Sequence, residues 1–411
     1  MAEARMRRRL GRRSWLSLIL AVAATLPGLA LRVGLLNTSV AVETVFYGVA
    51  IMGAAFLLAW AAEVAQLDVS QTLAIAVLAI IAVLPEYAVD LVLAYRAGQG
   101  DEQARHFAVA NMTGANRLLI GIGWATVVLV FWFRSRRREV RLRPVQRIDV
   151  GYLLLATMWA FTIPLRRQLS FLDLAILGGL FIAYIFRAAR EEVEEPELIG
   201  AAALLGSLPR RLRRLTTVLL FLFAAVAILA SAEPFVDGLT LVGDDLGINP
   251  FLMIQWVAPL ASESPEMIVA ILFTVRLKAQ AGLGTLISSK VNQWTLLVGT
   301  LPLVFAIAGG AGGGFGAPLQ MDSRQVEEVF LTAAQSLFAV VVIANLSISR
   351  IEAVALLSLF LGQLGFEATA VRYGFAITYI LFAVGILVVR KEARRGLWDS
   401  ILHVVRPSRN R

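Results

Sequence analysis

The chain has no cysteine and only two histidines, His106 and His403. Disulfides, thiolate zinc sites and iron–sulfur clusters are therefore excluded. What remains for holding a metal is oxygen, from carboxylates, amides, hydroxyls and carbonyls, and these donors suit hard cations such as Ca²⁺ or Na⁺. Charged residues are also scarce, at 16% of 411 residues. Neither a His-Glu-x-x-His nor a Gly-x-Ser-x-Gly pattern occurs, no nucleophile is obviously activated, and no cofactor is expected.

Apolar sequence, by contrast, is abundant: 58% of residues are hydrophobic and the mean hydropathy is +0.75. Runs repeatedly reach the ~20 residues that span a bilayer. Twelve candidate spans follow, near 14–34, 41–66, 70–97, 105–133, 149–165, 171–188, 214–236, 248–277, 281–308, 328–347, 350–366 and 371–390. Arg5 to Arg13 followed by an apolar run has the layout of a secretory signal. No small-residue cleavage site precedes the next apolar run, so an uncleaved first helix is expected.

The net charge of +9 sits between these spans, where positive-inside bias accounts for it and nucleic acid is not implied. An inside N-terminus places Arg134 to Arg138, Arg210 to Arg214, Arg276 to Lys278 and the tail from Arg390 on the cytoplasmic side. It places Asn37 to Glu43, an Asp237 to Asp245 loop and a flexible Gly309 to Gly316 loop outside. Only Arg166-Arg167 dissents. The reading is an integral protein of the plasma (inner) membrane with both termini cytoplasmic.

Two features are costly at membrane depth. Leu84-Pro85-Glu86 with Asp90 interrupts the third span, and Ser264-Pro265-Glu266 interrupts the eighth. Proline removes a backbone donor, and an acidic residue at a helix centre costs roughly 2.5–3.5 kcal/mol on insertion scales. A duplication surrounds them. Ala61-Ala62-Glu63 corresponds to Ser231-Ala232-Glu233, and polar clusters follow at Asn111 to Arg117 and Ser288 to Gln293. Equivalent helices lie five spans apart, and an odd offset forces opposite orientations. The predicted fold is therefore an all-α polytopic membrane protein of two inverted five-helix repeats plus an extra helix at each end. Its divisions are a basic N-terminus and first helix (1–40), the first repeat (41–190), a cytoplasmic linker (191–213), the second repeat (214–368) and a last helix with a basic tail (369–411).

Glu86 and Asp90 are four residues apart and Glu263 and Glu266 three, so each pair projects from neighbouring positions on its helix. Four carboxylates against Arg117 and Lys290 leave a charge that one divalent cation would neutralise, and protons compete for the same oxygens. Asp90 with Arg117 and Glu263 with Lys290 also read as static ion pairs. Asn111, Asn116 and Asn292 fit interhelical hydrogen bonding as well as ligation.

The paired acidic motifs, each followed by a Gly/Ser/Asn-bearing helix, resemble the alpha-repeats of the sodium/calcium exchanger (cation/Ca²⁺ exchanger) superfamily from about Glu43 to Gly365. The resemblance implies an ion held by Glu86 and Glu266 with Ser262, Ser289, Gln293 and Asn111 as further oxygens. Departures from the family pattern are Ala82, Val83, Ala115, Leu119 and Glu263, together with the cations Arg117 and Lys290. The expected function is secondary active antiport of a cation, Ca²⁺ against H⁺ or Na⁺, by alternating access. The partners are inorganic cations and the lipid bilayer. The alternative is a transporter of the same fold for another cation or a small charged solute; an intramembrane enzyme lacks a motif.

Overall fold

The computed structural model describes residues 2–68, 84–190, 198–364, 366 and 368–405, with side chains from Ser14 onward. The helices in chain order are α1 (Ala2–Arg32), α2 (Val40–Ala65), α3 (Leu84–Gly98), α4 (Glu102–Ser135), α5 (Pro144–Arg166), α6 (Phe171–Ala188), α7 (Ala201–Gly206) and α8 (Arg210–Asp245). They continue with α9 (Pro250–Val275), α10 (Ala279–Ile307), α11 (Ser323–Ile343), α12 (Arg350–Leu364), α13 (Thr369–Val389) and α14 (Lys391–Val405). Among the described residues, ten helices are long and apolar enough to cross a bilayer. The other two expected spans correspond to α3, whose preceding residues 69–83 lie outside the described residues, and to α12. Ala82 and Val83 fall in that undescribed stretch.

One expectation is corrected. The Asp237 to Asp245 segment is the last part of α8, not a loop; Pro234 is accommodated within it and the first glycine with a positive φ comes only at Gly247. At ~1.5 Å per residue its 36 residues run on the order of 54 Å, well beyond a ~30 Å hydrocarbon core. Within the basic tail, Lys391–Val405 form a further helix, α14. It buries Ala393, Gly396 and Ser400, small residues spaced three and four apart.

The chain forms two compact units, residues 1–92 with 189–265 and residues 93–188 with 266–411. Each unit draws on both halves of the sequence. In the first, α1, α2 and α8 pack through Ala21, Ala54, Leu57, Leu58, Ala224, Ala227 and Ile228, with Ala88 of α3 against them. Small side chains let membrane helices approach closely. At one end of this bundle Asp68 accepts hydrogen bonds from Arg213 Nε at 2.6 Å and Arg214 Nε at 3.1 Å. The hydrogen bond from Arg213 is the main cause that holds the Asp68 carboxyl down at about 2.

In the second unit, two antiparallel ribbons tie the repeats together. The strand β1 (Glu139–Arg141) pairs with β4 (Ser347–Ser349), and β2 (Gln168–Leu169) pairs with β3 (Leu319–Gln320). The helix α5 separates β1 from β2, so the ribbons lie at its opposite ends, as an inverted repeat requires. Arg166, which breaks the loop-charge pattern, binds Asp173 through Nη2 at 2.5 Å and Nη1 at 3.1 Å. Its charge is therefore spent inside the fold and carries no topological signal.

Candidate ion-binding site

The acidic segments lie on α3 and α9. Among the described residues, four helices contain π-turns. One starts at Leu119 in α4, two residues after Arg117, and another at Gln293 in α10, three residues after Lys290. The repeats thus share this distortion as well as the polar cluster before it. A third π-turn, Met253–Val257, opens α9 ahead of its acidic segment. Such insertions widen the helix and recur at functional sites.

One carboxylate oxygen from each of Glu86, Glu263 and Glu266 lies within 4.8 Å of the others. Glu86 stands in the first turn of α3, and Glu263 and Glu266 follow one another along a turn of α9. The spacing is within what one shared Ca²⁺ spans at Ca–O distances of ~2.3–2.6 Å. Pro265 has no N–H for the carbonyl of Ala261, which frees a backbone oxygen one turn before it. Glu86 and Glu263 are buried, and Glu266 is partly buried. Three carboxylates this close repel when ionised, which favours a proton or a bound cation among them.

The other expected residues lie on α3, α4, α9 and α10. Ser289 Oγ of α10 and Glu266 Oε2 are both buried without a hydrogen bond, so both retain capacity for a ligand. The Ser262 hydroxyl donates to Pro259 O at 3.3 Å. Gln293 is fully buried in its π-turn, and Asn111 is buried on α4. Asp90 is fully buried one turn along α3 from Glu86, outside the trio.

The two cations are each held within the second unit. Arg117 Nη2 donates to Glu328 at 2.5 Å, and Lys290 Nζ donates to Asn116 Oδ1 at 2.6 Å while lying 4.3 Å from the centre of the Trp294 ring. Asn116 is therefore a partner of Lys290, and its amide also donates to Met112 O at 2.8 Å.

Sequence reasoning missed three polar features. Gln255 is fully buried in the α9 π-turn, with neither amide atom hydrogen-bonded, seven residues before Ser262; an amide inside an apolar run was the available signal. Glu327 and Glu328 of α11 are buried with Arg372 of α13. Asp149 accepts from Tyr184 at 2.7 Å and from Ser288 at 3.0 Å, which anchors the α10 turn that carries Ser289.

The family described as sodium/calcium exchanger protein matches this chain twice, over residues 38–189 and 216–369. The chain belongs to the sodium/calcium exchanger family. Among solved structures, the exchanger is similar to the H⁺/Ca²⁺ exchanger CAX, with 43% identity and a TM-score of 0.91 over 96% of this chain and 98% of that one. It shares its fold with the Ca²⁺/H⁺ antiporter protein YfkE, at 16% identity and a TM-score of 0.56 over 92% of this chain and 100% of that one. The sodium-calcium exchanger NCX_Mj shares it too, at 16% identity and a TM-score of 0.52 over 80% and 99%. No curated protein matches the sequence.

Proposed function

We propose that this exchanger is a secondary active antiporter that moves Ca²⁺ against H⁺ by alternating access, with Glu86, Glu263 and Glu266 as the shared ion and proton site. The observation that carries this reading is the convergence of three carboxylates on one point. Each proton that leaves a carboxyl frees an oxygen for the ion, and each ion that leaves returns the site to mutual repulsion that protons relieve. Ion and protons thus exclude one another at one place, which is the requirement of antiport. Ser262, Ser289, Gln293 and Asn111 supply further oxygens, and the Ala261 carbonyl helps to approach the six to eight that Ca²⁺ takes. The similarity to an H⁺/Ca²⁺ exchanger favours H⁺ over Na⁺ as the coupling ion.

Arg117 and Lys290 are engaged with Glu328 and Asn116, so an organic anion has no observation in its favour. The reading includes no enzymatic step. It places the protein in the plasma membrane with both termini cytoplasmic, and treats 41–190 and 214–368 as the repeats about a 191–213 linker. The test is uptake of radioactive calcium by proteoliposomes under imposed H⁺ or Na⁺ gradients, with Glu86→Gln and Glu266→Gln alongside. Uptake driven by the H⁺ gradient and abolished in both variants is expected. No uptake under either gradient, or wild-type uptake in both variants, overturns the proposal.

A further inference from the structure

The final described helix, α14, has two unlike faces. Ala393, Gly396 and Ser400 are buried. Gly396 meets the Ala344 backbone so closely that no Cβ fits, and a Cβ on Gly151 of α5 would come within 2.8 Å of Ser400 O. Arg147 adds a hydrogen bond to Gly396 O at 3.4 Å and an ion pair with Asp399 at 3.8 Å. This face is fixed to the second unit.

The opposite face carries Lys391, Arg395, Trp398, Leu402 and Val405, spaced four, three, four and three residues apart, which aligns them along one side of a helix. Trp398 is 63% exposed and Val405 68%, with Leu402 half-buried between them. Lys391 and Arg395 are exposed at the start of the same stripe. Arg390 alone separates α14 from Val389, the last residue of the membrane span α13. Arg394 ties the turn by donating to Val388 O at 2.8 Å, so α14 begins at the level where the span leaves the hydrocarbon. A helix at that depth with tryptophan and aliphatic side chains outward and basic residues beside them matches the interface of an anionic leaflet.

We propose that this outer face of α14 is a docking surface for anionic phospholipid headgroups, with Trp398, Leu402 and Val405 in the acyl boundary and Lys391 and Arg395 on the phosphates. The proposal rests on the membrane-spanning fold and stands whichever ion the exchanger carries. Because the chain has no cysteine, Trp398→Cys permits single-site labelling of the full-length protein with an environment-sensitive fluorophore. The labelled protein is reconstituted in phosphatidylcholine alone or with an equal amount of phosphatidylglycerol, and quenching by spin-labelled lipid is compared with quenching by aqueous iodide.

Lipid quenching that dominates and strengthens with phosphatidylglycerol is expected. Lys391→Gln and Arg395→Gln should each lower the preference for the anionic lipid by about fivefold. Raising salt should weaken the preference in the unmodified stripe, a check that needs no further substitution. A label quenched by iodide and not by lipid in both bilayers overturns the proposal. So does lipid quenching indifferent to phosphatidylglycerol, salt and both substitutions, which would mark a purely apolar contact.

Discussion

Buried charge occurs in two arrangements in this protein. In the second unit, Arg117, Arg324 and Arg372 surround Glu327 and Glu328, with Arg324 Nε 3.2 Å from Glu328 and Arg372 bonded to both glutamates. Both carboxylates there are countered by arginines of the protein itself, and the contacts join α4, α11 and α13. At the acidic turns of α3 and α9, three like charges meet within 4.8 Å. The first arrangement is complete in the folded chain. The second lowers its energy by acquiring protons or a cation, so its occupancy follows the solution. Under the proposed function, the arginine network is charge that stays and the trio is charge that exchanges.

Breaking the matched network should have the largest effect. Arg372→Met removes the one buried guanidinium bonded to both Glu327 and Glu328 and leaves Glu327 only the partly exposed Arg324, at a cost of about 3–5 kcal/mol. Thermal unfolding in detergent should show this loss, while calorimetry on the fraction that remains folded should give an unchanged Ca²⁺ affinity. An intact melting temperature would mean that the network is not a structural lock.

Glu266→Gln should behave in the opposite way. Removing one of three clustered carboxylates relieves repulsion, so ion-free thermal stability should hold or rise, while Ca²⁺ affinity measured by calorimetry falls on the order of a hundredfold. Loss of stability together with unchanged affinity would place Glu266 with the structural charges and collapse the contrast. Ser289→Ala is the milder version. A neutral oxygen is worth roughly 0.5–1.5 kcal/mol, so affinity should fall about three- to tenfold with stability unchanged.

Much of this contrast was legible in the sequence, because the apolar runs and the repeated Pro-Glu turns carry their own physical cost. Glu86, Glu266 and Glu263 declare themselves by sitting where a lipid-facing helix excludes them. The matched network did not declare itself. Arg117 and Glu328 are 211 residues apart, and no local pattern says which distant carboxylate an arginine meets. The length of α8 was hidden by polarity and by breakers, since Asp237, Asp244 and Asp245 with Pro234, Gly238 and Gly243 read as loop although the helix accommodates them all and ends before Gly247. The helix α14 was hidden by its charge, yet Ala393, Gly396 and Ser400 already had helical spacing. Apolar content reports depth in the bilayer, and helices that run past the bilayer or lie beside it leave a weaker trace.

Asp68 is an intermediate case, a carboxylate matched by Arg213, Arg214 and Arg210 at the watery end of α2 and α8. Its pKa is lowered in the fold to about 2, from an ordinary value of ~3.9. A depressed folded pKa means that the folded state binds fewer protons than the unfolded state between those values. The stabilisation is therefore complete above about pH 4 and disappears as the pH falls toward 2. Arg210 and Arg214 are half or more exposed, which limits the effect to about 1 kcal/mol after solvent screening. Comparing the wild type with Asp68→Asn isolates it from the other carboxylates. The variant should melt lower at pH 5, and the gap should close on acidification toward pH 2. A gap that stays constant would show that Asp68 acts through shape rather than charge, and one that widens would reverse the sign of the assignment.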